Sequence, residues 1–257
     1  MKTLEKKKAV ITGGSDGIGL AIAKSFVLQG ADVLVIARNQ DKLRKTALEL
    51  SDVGSRVETI SCDLSEVDSI AEYADQILRI FPDIHVLVNN AAVALFTPFH
   101  QVEIQELDYQ INLNVKAVFL LTQYLLPTLK KNQASIINIS SFHAQRVLPI
   151  LPSSAFSLTK GAINSFTRDL AYELGPHGVR VNAIAPGNVN TSKVKAYIEQ
   201  IPEQSKTQFR EMVKTLYPLG RMGEPADLGS IAVYLASDQA SWVTGSIINV
   251  DGGLTTN

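Results

Sequence analysis

Short runs of β-branched and aliphatic residues alternate along the chain with longer stretches whose apolar positions recur at helical spacing. The first run is "KAVIT" (8–12). Gly-rich sequence follows it, then "LAIAKSFVLQG" (20–30), which has helical period and closes on Gly30. "DVLVIA" (32–37) leads into the charged helix "NQDKLRKTALELSDVG", and "RVETISCD" (56–63) into "VDSIAEYADQILRIF". "IHVLVNN" (84–90) precedes a long helical region over roughly 103–130, and "ASIINISS" (134–141), "RVNAIAPG" (180–187) and "GSIINVDGG" (245–253) complete the set. The seven runs are nearly continuous in Val, Ile and Leu rather than alternating. Strands of that kind are covered on both faces, as in a parallel sheet between helices. The pattern predicts a doubly wound α/β fold in one domain over residues 1–257. Its longest interruption, 191–224, is polar, helix-prone and placed after a strand end. Ligands of open α/β sheets bind beyond the carboxyl ends of strands, so this segment is expected to be a substrate lid.

Composition narrows the function. The chain has 257 residues, 46% hydrophobic and 19% charged, with a net charge of −1. That balance suits a globular protein with a large core and offers no general pull toward nucleic acid or an anionic membrane. No apolar run is long enough for a membrane span, and the N-terminus lacks the apolar core of a signal peptide. The single cysteine, Cys62, rules out an internal disulfide. A cytoplasmic location is the expectation by elimination.

The candidate chemistry starts at "TGGSDGIG" (12–19), between the first strand and the first helix. Gly13, Gly17 and Gly19 let the backbone turn tightly and approach a pyrophosphate, with Ser15, Asp16 and Ile18 beside them. The helix N-terminus supplies N–H groups and partial positive charge. The second strand ends in Ala37, Arg38 and Asn39. An acidic residue there would hold a ribose 2′-OH, whereas the Arg38 guanidinium can grip a 2′-phosphate. NADP(H) is therefore favoured over NAD(H), although no basic residue stands at Ser15 or Asp16 to share the work. Asp63, followed by Leu64, is placed either to accept from an adenine amino group or to cap the next helix.

These motifs occur in order with "NNAA" (89–92), "NVKAVF" (114–119), "INISS" (137–141), Lys160 in "KGA", "RVNAIAPG" and "GSIINVDGG". Together they resemble the short-chain dehydrogenase/reductase family, over essentially the whole chain. The resemblance implies a Rossmann-type, seven-stranded parallel sheet with helices on both faces. It also implies a homotetramer or homodimer, and hydride transfer between NAD(P) and a carbonyl or alcohol of a small molecule. No metal enters. By the same resemblance Asn90 and Ala91 lie along the adenosine ribose, and Asn114 kinks its helix and holds a water in a proton relay. Ser141 hydrogen-bonds the substrate oxygen, and Lys160 holds the nicotinamide ribose. Pro186, Gly187, Val189 and Thr191 frame the nicotinamide.

The chain departs from the family pattern in two places. The family's Tyr-x-x-x-Lys reads here as Phe156 and Lys160. The family tyrosine is the general acid/base, tuned by the lysine ammonium, and removing such a group typically costs about 10²–10⁴ in rate. The stretch between Ser141 and Phe156 is also longer than usual, and His143 stands where the usual spacing would put the serine. His143 is either a substitute acid or a loop residue facing solvent or bonded to backbone. Three readings follow. The chain is a reductase in the form a deliberate Tyr→Phe exchange would leave, an enzyme naturally without the tyrosine, or a non-enzymatic NADP-binding sensor. The Tyr-less enzyme would reduce an imine or activated alkene, or catalyse dehydration or isomerisation. The substrate pocket is expected to involve Ser141, His143, Gln145, Phe156 and Asn188, with Phe96 nearby and Tyr197 and Met212 from the lid.

Overall fold

A computed structural model describes residues 2–51, 54–148, 151–200 and 202–256. Pro149 and Ile150 of the extended stretch, Ile201 of the expected lid and the side chain of Tyr197 lie outside the described residues. The seven apolar runs form seven strands: β1 (Lys8–Thr12), β2 (Asp32–Ala37), β3 (Val57–Ser61), β4 (Val86–Asn89), β5 (Ser135–Ile139), β6 (Arg180–Pro186) and β7 (Ile247–Val250). They make one sheet in the order β3-β2-β1-β4-β5-β6-β7, and every pairing is parallel.

Helices cover both faces. On one face α1 (Gly17–Leu28), α2 (Gln40–Ser51) and α9 (Pro225–Ala236) bury Ile22, Phe26, Leu43 and Leu228 against β1, β2 and β4. On the other, α3 (Ile70–Ile80), α5 (Ala117–Lys131) and α6 (Ser154–Leu174) bury Ile77, Leu121, Leu125 and Leu174 against Val10, Leu34, Leu87 and Ile136. Neighbouring strand residues such as Val10 and Ile11 thus enter opposite cores, which is why the runs read as continuous rather than alternating.

The helical region expected at 103–130 is α4 (Ile104–Ile111) and α5 joined by a π-helical turn at Asn112–Lys116. The segment 191–224 holds α7 (Ser192–Gln200) and α8 (Glu203–Leu216). Phe209 and Val213 of α8 pack with Phe142, Tyr217, Met222 and Leu254 in a third, smaller apolar cluster at the carboxyl edge of the sheet. No helix among the described residues is long and apolar enough to cross a membrane.

Candidate active site

The chain winds outward from β1 to β3, then crosses back to place β4 on the other side of β1. The loops after β1 and β4 therefore diverge at the carboxyl edge and leave a crevice between them. Gly13 sits there with φ +65°, and a methyl group on it would lie 2.8 Å from Asn90 Nδ2 and 2.9 Å from Ala91 Cα. On Gly19 a methyl would lie 2.3 Å from the Gly13 carbonyl oxygen. Thr12 ties the two loops together: its hydroxyl accepts from the N–H groups of Asn90 and Ala91 at 2.9 and 3.0 Å. The Asn90 carboxamide donates back to the carbonyls of Thr12 and Gly13 at 2.9 and 3.1 Å. Asn90 thus braces the glycine loop through its side-chain N–H groups.

The crevice opens into a groove of about 410 Å³. The glycine loop from Gly13 to Ile18 forms its floor, Ala37–Asn39 and Cys62–Leu64 one wall, and Asn90–Ala92 and Thr191–Lys193 the other. Arg38 projects from the end of β2, its Nη1 donating to Tyr109 Oη at 3.0 Å and to Asp63 at 3.3 Å. Partial burial would lower the Arg38 pKa, but Tyr109 and Asp63 outweigh it and raise it. Burial likewise pushes the Asp63 carboxyl up, but hydrogen bonds from Ser65 and the nearby Arg38 hold it below the usual range. Asp63 caps no helix. Its carboxylate accepts from the N–H and hydroxyl of Ser65 at 2.9 and 2.7 Å, ahead of the helical turn that begins at Val67. Desolvation, with Asp63 adding to it, pushes the Cys62 thiol up to about 12, so it is no nucleophile. Glycines that tolerate no methyl, placed at a helix N-terminus beside the crevice, are the features a nicotinamide dinucleotide requires, and the groove fits one.

A second cluster forms where β5 meets α6. Lys160 is 4% exposed and donates from Nζ to the Ile139 carbonyl at 2.7 Å, on the strand that delivers Ser141. Desolvation lowers its pKa to about 8. One helical turn earlier, the buried Phe156 places its ring centroid 5.7 Å from that ammonium. The Ser141 hydroxyl accepts from the His143 N–H at 3.2 Å, which leaves its own proton to donate. Asn114 sits in the π-helical turn, where its Oδ1 accepts from Val93 N–H at 2.8 Å. Its Nδ2 donates to the Val93 carbonyl at 2.8 Å and to Thr159 Oγ1 at 3.1 Å. Both carboxamide hydrogens are thus taken up within the protein.

Among the described residues His143 is neither solvent-facing nor bonded to backbone through its ring. It is 5% exposed, with ring centroids 4.0 Å from Phe142 and 5.6 Å from both Phe96 and Phe156. Its Nδ1 is buried without a partner among the described residues. Desolvation lowers its pKa to about 4, so the imidazole is neutral at pH 7 and can serve only as a neutral hydrogen-bonding group. Of the two readings of His143, the solvent-facing or backbone-bonded loop residue is not what the structure shows.

Other expected residues scatter more. Gln145 is exposed and its carboxamide pairs with Asn249 of β7, away from the ring cluster's hydrogen bonding. Asn188 donates its main-chain N–H to Tyr217 Oη at 3.1 Å. Pro186 ends β6, Gly187 packs so closely that a methyl would lie 3.0 Å from Asp251 Cα, and Val189 bridges to Gly223. Thr191 leans over the glycine loop, 3.0 Å from where a Gly17 methyl would stand. Thr12, the first residue of the glycine motif, gains a bracing role, and the structure adds Lys42, Tyr109, Thr159 and Ser192, none visible as a motif. Among them only Lys42 carried a signal, being basic and one turn beyond Arg38. Among the described residues no three His, Cys, Asp or Glu side chains gather as a metal centre would need.

Comparison with known proteins agrees with this geometry. A family model described as enoyl-(acyl carrier protein) reductase matches residues 13–255. The uncharacterized oxidoreductase YxbG of Bacillus subtilis (strain 168) is 35% identical over 255 residues, 99% of this chain and 93% of that protein. A short-chain type dehydrogenase/reductase from Mycobacterium marinum superposes with a TM-score of 0.89 at 31% identity, over 99% of this chain and 97% of that one. An NAD(P)-dependent protein from Beutenbergia cavernae, solved with bound NADP at low occupancy, superposes with a TM-score of 0.90 at 31% identity, over 99% of both chains. With the sheet order, the groove at its carboxyl edge and the cluster of Ser141 and Lys160 where β5 meets α6 already in place, these likenesses establish that the chain belongs to the short-chain dehydrogenase/reductase family of oxidoreductases.

Proposed function

We propose that this protein is an NADP(H)-dependent oxidoreductase acting on the carbonyl, or in reverse the alcohol, of a medium-sized organic molecule, and that Phe156 slows it by standing where the family's catalytic tyrosine does. The observation that carries this reading is the docking of the buried Lys160 ammonium on the end of the strand that presents Ser141, at the same sheet edge as the groove. The bound cofactor would supply or take the hydride. Gly13 to Gly19 would hold its pyrophosphate, Arg38 its 2′-phosphate and Lys160 its second ribose. The Ser141 hydroxyl donates a hydrogen bond to the substrate oxygen, and Phe96, Phe142 and Phe156 exclude water around it. What is missing is a proton donor matched to the oxyanion. Ser141 and neutral His143 are weak acids, and the Lys160 ammonium would be taken up by the Ile139 carbonyl and the ribose.

The test compares NADPH oxidation by this chain and by Phe156→Tyr across a panel of ketones. Tyrosine should raise kcat/KM by about 10²-fold or more. Tight NADPH binding without turnover in either form would overturn the enzyme reading in favour of a sensor. A second reading, an enzyme naturally without the tyrosine that reduces an imine or activated alkene, is favoured by the aromatic walls and the uncharged His143. It predicts turnover of such substrates that Phe156→Tyr does not improve and His143→Ala abolishes. Assembly as a homotetramer or homodimer is supported by exposed apolar side chains on α5 and α6, among them Phe119, Tyr124, Leu158 and Tyr172.

A further inference from the structure

One ion pair at the mouth of the groove has no part in the scheme above. Lys42 lies in the first turn of α2, and its Nζ sits 2.5 Å from Asp16 Oδ2. Asp16 is the N-cap of α1, and its other oxygen accepts from Gly17 N–H and Ser192 Oγ, each at 2.7 Å. Both residues line the groove together with Arg38 and Asn39.

Neither fold stability nor helix formation accounts for the pair. The side chains are 48% and 30% exposed, and an ion pair so well solvated contributes little. A cation in the first turn of a helix also opposes the helix dipole, which favours anions there. Asp16 poses the complementary problem. Burial pushes its carboxyl up, but hydrogen bonds from Lys42, Ser192 and Gly17 hold it below the usual range, so it is ionised at neutral pH. A carboxylate at the groove mouth repels a 2′-phosphate and holds a cation beside it. Lys42 is that cation, and it enters from α2 because the glycine loop carries no basic residue of its own. Across the groove mouth Arg38 uses only Nη1 on Asp63 and Tyr109, so its remaining N–H groups have no partner among the described residues.

We propose that Lys42 is a second cation for the cofactor 2′-phosphate, acting with Arg38, and that Asp16 competes with that phosphate for it. The pair then works as a discriminator. NADP(H) draws Lys42 off Asp16 and gains a charge-assisted contact, whereas NAD(H) leaves the pair closed. This rests on the NADP(H) reading above.

Dissociation constants for NADPH and NADH, measured by titration of the full chain without substrate, test it. Lys42→Met should weaken NADPH by about tenfold and leave NADH within about twofold, with an unchanged melting temperature in the absence of cofactor. Asp16→Asn keeps a capping oxygen for Gly17 and Ser192 but no charge. It should tighten NADPH, and the gain should vanish in the double variant Asp16→Asn/Lys42→Met. A Lys42→Met that weakens both cofactors equally, or neither, overturns the role of Lys42. An Asp16→Asn that weakens NADPH overturns the competition. Arg38→Ala separates this proposal from the reading beneath it. If Arg38→Ala selectively loses NADPH while Lys42→Met does not, only Lys42 is misassigned. If neither variant discriminates, NADP(H) selection itself fails.

Discussion

Two lysines mark the two ends of the candidate site, and their surroundings differ in kind. Lys42, at the groove mouth, has a side chain 48% exposed and a carboxylate partner that it can exchange. Lys160, between β5 and α6, is 4% exposed and rests on a carbonyl and the face of a phenyl ring. At the mouth, water screens each charge, so pairing energies are small and selection comes from which anion the cations meet. In the buried cluster desolvation dominates. It brings Lys160 to about 8 and His143 to about 4, both toward their uncharged forms. One end keeps its charges in water; the other sets protonation states by excluding it.

The contrast can be broken most severely at the glycine loop that joins the two ends. In Gly19→Ala the new methyl would meet the Gly13 carbonyl oxygen at 2.3 Å and Asn90 Nδ2 at 2.5 Å. One of these is backbone, so the loop itself must shift. Unfolding free energy should fall by about 2–3 kcal/mol, and NADPH should no longer raise the melting temperature. A variant that melts with the parent and still binds NADPH would show that the loop is not packed this tightly.

The buried end makes a pH prediction of definite sign. With Lys160 lowered from 10.5 to about 8, the unfolded chain holds a proton across that window that the folded chain lacks. Stability therefore rises with pH there, by about 2 kcal/mol between pH 8 and pH 10. Urea unfolding at both pH values should show this gain in the parent relative to Lys160→Met; parallel behaviour would mean that Lys160 is better solvated than its burial indicates.

His143 gives the matching acidic limb, and a smaller effect if water reaches its ring. Its pKa falls from 6.5 to about 4, so the unfolded chain takes up the proton first as the pH drops. Stability should decline by no more than about 2 kcal/mol from pH 7 to pH 5, and His143→Phe should abolish that decline. Equal acid sensitivity in the two proteins would place the charge change elsewhere.

Most of the framework is legible along the chain. β1 and β2 coincide with the apolar runs at 8–12 and 32–37, because a strand buried on both faces has no reason to interrupt its aliphatic residues. The glycine loop is legible for a related reason, since it depends on local backbone geometry between a strand end and a helix start, whereas Ser141 and Lys160 are legible only through the family resemblance. The π-helical turn at Asn112–Lys116 is not, because a single inserted residue leaves the helical spacing on either side intact. The extended stretch after Ser141 was visible, but not that it carries His143 into an aromatic cluster.

What the sequence by itself determined, then, is the order of strands and helices and the residue types placed at the carboxyl edge. Each follows from a pattern only a few residues long. The tertiary structure alone decided which of those groups meet. Asp16 binds Lys42 from 26 residues away and Ser192 from 176, and Arg38 reaches Tyr109 across 71. It also decided how much water surrounds each charge, since Lys42 and Lys160 are the same residue in the sequence, yet one lies beside a carboxylate at the open mouth and the other is buried on a carbonyl.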